Sequence, residues 1–380
     1  MTDPVQPFVL HIGQERLDDL HRRLELTRWP EREPVDDWSQ GAPLGKVKAL
    51  IEHWRTGYDW RRCEARLNSL GQSLTRIDGV DVHFLHVRSK HRHALPLILS
   101  HGWPGSVIEF LKCIEPLVDP GAHGADPDDA FHVVIPSLPG YGFSGKPSGT
   151  GWNVARIARA WHVLMLRLGY ARYVAQGGDW GSAITTAMGA QRPDGLIAIH
   201  LTMPLVVPRE QGPAQSASES RMLERLSHYA RWESGYSSQQ ASRPQTLGYA
   251  LADSPAGQAA WIYEKFRAWS LDPGAPEGTL TPDEMLDNIM LYWLPNAGAS
   301  SARLYWESFR GGFRAVELDL PTGCSIFLED SIYAAPRSWA ERCMRQLIYW
   351  NELERGGHFA AFEQPELFVE ELRKCFRLVR

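Results

Sequence analysis

The chain turns from strand to helix through Tyr173-Val174-Ala175-Gln176-Gly177-Gly178-Asp179-Trp180-Gly181-Ser182. A short apolar run meets a glycine-rich turn, and helical spacing follows through Gln191. The form is small-x-Asp-x-small. In a strand-to-helix turn sharp enough to present a nucleophile, the residues two before and two after it must be small, here Gly177 and Gly181. Asp179 at the centre decides the chemistry. A carboxylate attacks a carbon carrying a leaving group and forms an ester, whereas a serine alkoxide attacks an acyl carbonyl. Serine-type hydrolysis of esters, lipids and peptides is therefore disfavoured. Taken alone, Asp179 would equally well cap the following helix. Its place after a strand, and the partners below, weigh for the nucleophile.

On both sides of this turn, short apolar runs (95–99, 131–135, 196–201) alternate with helical stretches (106–117, 154–168, 182–191). That alternation predicts an α/β fold with a mostly parallel central sheet covered on both faces. Two β-rich runs, 74–77 and 80–87, flank Asp78-Gly79, a hairpin signal that opens the main domain. Ahead of it, Leu17, Leu20 and Leu24 fall at helical spacing, and a second amphipathic run covers 46–58. Residues 1–73 are read as an N-terminal helical segment packing on the core. Between 203 and 317 the strand signal gives way to helical pieces at 220–232, 257–269, 281–292 and 300–309, the pattern of a helical cap. The alternation then resumes with a strand at 324–328, a helix at 337–345, a strand at 346–350 and a helix at 364–376. The core is thus predicted in two parts, 74–202 and 318–380, split by the cap.

Composition narrows the function. Forty Lys and Arg against 45 Asp and Glu give a formal charge of −5 with no basic tract, so nucleic acid is not an expected partner. Five scattered cysteines without a C-x-x-C pair predict neither a disulfide framework nor a zinc site. The N-terminus lacks a signal region and no apolar run is long enough to span a bilayer, which predicts a cytoplasmic protein. Gly140-Tyr141-Gly142-Phe143-Ser144 lacks the lysine of a phosphate loop and the strand-GxGxxG-helix frame, so no cofactor is expected. Fifteen tryptophans are compatible with a Trp-lined apolar pocket and with Trp in the core.

Upstream, the run into His101-Gly102-Trp103-Pro104-Gly105-Ser106 is a strand turning tightly into a helix, a geometry that offers backbone N–H groups to an oxyanion. Trp103, with Trp180 just after the nucleophile, is the candidate oxyanion hole. Near the C-terminus, Arg355-Gly356-Gly357-His358-Phe359 sets His358 in a glycine-rich loop after the last strand. An imidazole there suits a general base for water, provided a carboxylate holds its other nitrogen. That carboxylate is expected in Phe327-Leu328-Glu329-Asp330-Ser331, with Asp330 favoured over Glu329. The order Asp179, acid, His358 is the nucleophile, acid, base order of an α/β-hydrolase.

With these residues in place, the chain resembles the microsomal and juvenile-hormone type of epoxide hydrolase, in a soluble microbial form. The resemblance covers nearly the whole chain. It is carried by Thr27-Arg28-Trp29-Pro30, the 101–106 turn, Gly178-Asp179-Trp180-Gly181, Arg243-Pro244-Gln245-Thr246, Trp261-Ile262-Tyr263-Glu264-Lys265-Phe266 and Gly356-Gly357-His358-Phe359-Ala360-Ala361. It implies the α/β-hydrolase fold with a cap, a small apolar epoxide and water as partners, a vicinal diol as product and a role in detoxification. It also implies a hydroxyalkyl ester on Asp179, hydrolysed by water that His358 activates with Asp330 behind it. Two cap tyrosines, Tyr236 and Tyr305, are implied to hydrogen-bond the epoxide oxygen. A phenol is a neutral acid at pH 7, able to donate to a developing alkoxide. Two departures stand out. The family acid lies five residues before a proline, where this chain has Ser331 ahead of Pro336, and the membrane anchor of the microsomal relatives has no counterpart. Two rival readings stay open: a haloalkane dehalogenase, against which the tyrosine pair speaks, and a non-catalytic binding protein, against which the triad speaks. The oligomeric state also stays open, a homodimer included.

Overall fold

The computed structural model describes residues 3–208, 213–270, 279–309, 315–328 and 332–380. After a two-residue strand β1 (Gln6–Pro7), the chain forms α1 (Gln14–Glu25), α2 (Leu44–Thr56) and α3 (Trp60–Asn68). α1 buries Leu17, Leu20 and Leu24, the stripe whose spacing marks it as a helix. Asp78 and Gly79 take φ of 50° and 84°, as a two-residue hairpin requires, and join β2 (Gln72–Ile77) to β3 (Val80–Val87).

From this antiparallel edge the sheet becomes parallel. β3 pairs antiparallel with β5 (Phe131–Pro136), and β5 pairs parallel with β4 (Leu95–Ser100). Parallel pairing continues through β6 (Tyr173–Gly177), β7 (Leu196–Leu201), β8 (Thr322–Phe327) and β9 (Leu347–Leu353). Among the described residues the nine strands run in the order β1-β2-β3-β5-β4-β6-β7-β8-β9. β6 and β8 are buried at every position, the mark of strands covered on both faces. The fold is the predicted α/β-hydrolase arrangement. Its core helices are α4 (Ile114–Val118), α5 (Val154–Arg167) and α6 (Trp180–Gln191), the last packed on β4, β6 and β7. The single helix expected over 106–117 is instead a 3₁₀ turn, Val107–Phe110, followed by α4. The Ser106 hydroxyl accepts the Ile108 N–H only two residues on, which tightens the start.

The cap comprises α7 (Ala217–His228), a π turn (Tyr229–Glu233), α8 (Gly235–Ser242), α9 (Pro244–Asp253), α10 (Pro255–Trp269), α11 (Pro282–Trp293) and α12 (Gly298–Ser308). Local chemistry sets several starts: Ser216, Ser254 and Thr281 cap α7, α10 and α11, and Thr281 with Glu284 forms a reciprocal capping box. α8 and α9 escape periodicity, because the Ser-Ser-Gln-Gln run of α8 carries no apolar stripe. The chain closes through α13 (Arg337–Cys343), α14 (Ala360–Glu363) and α15 (Pro365–Arg377).

The N-terminal segment, expected to pack on the core, does more: it lends β1 to the sheet and lays its helices against α10 and α11 of the cap. Polar contacts fasten this seam. His53 Nε2 lies 2.7 Å from Asp283, the Tyr58 hydroxyl donates to Asp287 at 2.8 Å and Arg62 donates to Asp287 at 3.1 Å. Arg16 reaches the Leu294 carbonyl. The acidic stripe on α11 thus finds its cations in a stretch more than 220 residues earlier. Among the described residues no helix is long and apolar enough to cross a membrane.

Candidate active site

The nucleophile turn joins β6 to α6, and Asp179 sits there with φ 50° and ψ −127°. A non-glycine residue held so costs about 1–3 kcal/mol, and the surrounding backbone imposes it. A Cβ on Gly181 would fall 1.9 Å from the Ser100 carbonyl oxygen, and one on Gly177 would fall 2.0 Å from that of Gly181. The requirement for small residues on both sides is therefore a matter of main-chain contact. The capping alternative falls away, since the Asp179 side chain makes no cap hydrogen bond. Its Oδ1 instead accepts the Trp103 N–H at 2.8 Å.

Trp103 is positioned by the turn after β4. His101 is buried there, and its ring bridges the Gly102 carbonyl through Nδ1 at 2.9 Å and the Leu138 N–H through Nε2 at 3.2 Å. Because Nε2 accepts, Nδ1 carries the proton, and burial pushes the ring pKa down to about 4, keeping it neutral. Gly102 lets the two turns touch: a Cβ there would lie 2.1 Å from Asp179 Oδ1. The cap reaches the same turn. Asn288 donates to the Pro104 carbonyl and the Tyr292 hydroxyl to that of Gly105, both at 2.7 Å.

His358 arrives from the loop after β9, with Nε2 3.4 Å from Asp179 Oδ2 and the side chain 3% exposed. Its backbone N–H donates to the Trp269 carbonyl at 2.8 Å and its ring packs on the Trp269 ring, centroids 5.0 Å apart. The end of α10 thus positions His358, the candidate base. Glu329 and Asp330, the candidate acids, lie outside the described residues, as does Ser331.

Tyr236 on α8 and Tyr305 on α12 converge above Asp179, their rings 5.9 Å apart. Tyr236 stacks on Trp103 at 4.9 Å and 11°, and Lys265 Nζ lies 4.6 Å from the same ring. Tyr305 stands edge-on to Trp180, ring centroids 4.7 Å apart. Burial holds both phenols well above their usual value of 10, so both stay protonated. Together with Asp179 they line a cavity of about 490 Å³ whose walls include Met203, Leu205, Leu223 and Leu226.

Some contributors escape a sequence reading. The Tyr229 hydroxyl lies 3.0 Å from that of Tyr236, linking a third phenol to the pair. His101 and Lys265 stand inside the quoted 101–106 and 261–266 stretches, but nothing in their spacing gives them a role. Their contacts exist only once distant elements pack.

Known proteins share this chain's sequence and fold. Residues 5–110 match the family model for the epoxide hydrolase N terminus, and residues 96–339 match that for the alpha/beta hydrolase fold. A candidate epoxide hydrolase of Stigmatella aurantiaca (strain DW4/3-1) is 58% identical, covering 99% of this chain and 86% of its own length. Epoxide hydrolase 1 of Sus scrofa is 37% identical over 99% of this chain and 89% of its own. The structure of Aspergillus niger epoxide hydrolase superposes with a TM-score of 0.88 at 31% identity, covering 99% of this chain and 96% of that one. With likeness in sequence, sheet and cap running from end to end, the chain belongs to the epoxide hydrolase family of the α/β-hydrolase fold.

Proposed function

We propose that this protein converts an apolar epoxide to a vicinal diol in two half-reactions through an ester on Asp179. Asp179 Oδ2 attacks an epoxide carbon while Tyr236 and Tyr305 donate to the opening oxygen, giving a hydroxyalkyl ester. His358 then takes a proton from water, and the oxygen of that water attacks the ester carbonyl carbon. The Trp103 N–H holds the resulting oxyanion, with the Trp180 N–H as its assigned partner. Asp330 is our choice for the carboxylate behind His358, and Glu329 the alternative. The observation that carries the reading is one carboxylate with three kinds of partner. Oδ1 rests on the Trp103 N–H, Oδ2 faces His358, and two protonated phenols share its apolar cavity.

Two protonated phenols in the cavity suit an opening epoxide oxygen better than a departing halide, which favours an epoxide over a haloalkane. Diol formation from styrene oxide by the purified protein, run beside halide release from a simple bromoalkane, tests this: diol without halide is the expected result. Asp179→Asn should lower turnover by about 10⁴-fold or more while the substrate still binds. Halide without diol, or turnover that survives Asp179→Asn, would sink the scheme.

A further inference from the structure

The large cavity holds Asp179 and the tyrosines, yet among the described residues His358 does not line it. His358 lines a second, small chamber with Gly102, Glu109, Gln176 and Asp179, and Asp179 is common to both. Its space, about 20 Å³, takes one water molecule. Two of its groups have no place in the mechanism so far. Gln176, the last residue but one of β6, is 1% exposed, and its Oε1 is buried without a hydrogen-bond partner among the described residues. Glu109, on the 3₁₀ turn, lies so close to Gly105 that a Cβ there would fall 1.3 Å from Oε1.

We propose that this chamber is the seat of the hydrolytic water, and that Glu109 and Gln176 are positioning residues that hold it between His358 and the ester carbon of Asp179. The inference rests on the covalent mechanism proposed above. A water has two hydrogens and two lone pairs to place. One hydrogen goes to His358 Nε2 and the other to Gln176 Oε1, which satisfies the orphaned acceptor. One lone pair accepts from the Glu109 carboxyl, and the other faces the Asp179 carbonyl carbon. For this Glu109 must be protonated. Burial pushes its carboxyl up to about 8, with His358 and the Ser106 N–H pulling down and Asp179 pushing up, so it is neutral at pH 7. A neutral acid also adds no second negative charge beside the oxyanion on Oδ1.

The step balances. As the water oxygen bonds to the Asp179 carbonyl carbon, its proton passes to Nε2 and the carbonyl electron pair moves to Oδ1. Collapse of this intermediate breaks the bond from the Asp179 carbonyl carbon to Oδ2, the diol alkoxide takes the proton from the imidazolium, and the carboxylic acid left on Asp179 returns its proton to the phenolate that opened the epoxide. Substrate and water thus approach the nucleophile from separate rooms. Styrene oxide enters from the tyrosine side, and water is already seated on the histidine side.

The test separates the two half-reactions. Stopped-flow fluorescence and intact-protein mass, with styrene oxide as the probe, give the rates of ester formation and ester loss for the wild type and for Gln176→Met, Glu109→Leu and Glu109→Gln. Ester loss should slow by at least about 10-fold in Gln176→Met and Glu109→Leu, ester formation should stay within about 3-fold, and the adduct should accumulate. Glu109→Gln keeps a donor and should recover most of the rate that Glu109→Leu loses. Unchanged ester loss in both apolar variants overturns the seat. So does an equal fall of both rates in Glu109→Leu and Glu109→Gln, the pattern of a structural defect. His358→Gln serves as the control for the underlying mechanism. If no adduct forms on it or on any other variant, the ester on Asp179 is wrong and the seat falls with it.

Discussion

The Asp179 carboxylate is held by main-chain groups, the Trp103 N–H and the Gly102 backbone, at the ends of neighbouring strands, whereas Tyr236 and Tyr305 reach the same point as side chains on two cap helices. On the core side, position is set where a Cβ has no room: beside Ser100 at Gly181 and beside Oδ1 at Gly102. On the cap side, position comes from ring contacts, Tyr236 on Trp103 and Tyr305 on Trp180. A main-chain wall tolerates no substitution that adds an atom. A wall of packed rings keeps its shape when one oxygen is removed. On the proposed mechanism, the group that forms bonds is held by the first kind of wall, and the groups that donate protons by the second.

Gly102→Ala presses hardest on that contrast. Its methyl would displace the carboxylate from the Trp103 N–H, and diol formation should fall by about 10²–10³-fold, the scale of losing an oxyanion donor. An active, well-folded Gly102→Ala enzyme would show that the core wall gives way as readily as the cap. Tyr236→Phe and Tyr305→Phe should each slow ester formation by about 10–10²-fold, because the second phenol remains, while melting temperature hardly changes. A large loss of stability in either would make the tyrosines structural.

The same phenols set a pH expectation. Since burial raises both above 10, the protonated donor persists, and the rate of ester formation should show no loss from the phenols between pH 8 and 10. A fall with a midpoint below 9, absent from the Phe variants, would contradict the burial described. The smallest effect is expected at the seam. Tyr58→Phe removes one hydrogen bond to Asp287 and should cost about 1 kcal/mol, lowering the melting temperature by about 1–3 °C without changing turnover. Burial also lifts the Asp287 carboxyl from 3.8 to about 6, so the folded state binds the extra proton between those values. Its share of stability falls as pH rises from about 4 to 6, and Asp287→Asn should remove that slope from a melting series.

The shape of the Asp179 turn was legible because it is dictated locally: only small residues fit two positions away from an Asp at the end of a strand. The parallel sheet was legible for a similar reason, as doubly covered strands read as short apolar runs. The tyrosine pair was not. Twelve tyrosines are present, and only the family resemblance singled out Tyr236 and Tyr305. Glu109 and Gln176 carry no local signal at all, since their meeting depends on the turn after β4 and the end of β6 being neighbours. α1 and α2 declared themselves by periodicity and α3 did not, and their partners on α11 lie too far along the chain for any pattern to reveal.

The hydrogen bond from Trp103 to Oδ1 makes the two oxygens of Asp179 unequal before any substrate arrives. On the proposed mechanism, Oδ1 stays in its hole throughout, and Oδ2 leaves with the product. The first diol released by each enzyme molecule therefore contains an oxygen from the protein, and the oxygen drawn from solvent remains behind in Asp179. In isotopically labelled water, a single turnover would yield unlabelled diol and a protein heavier by one labelled atom. The label would appear in the product only from the second cycle on.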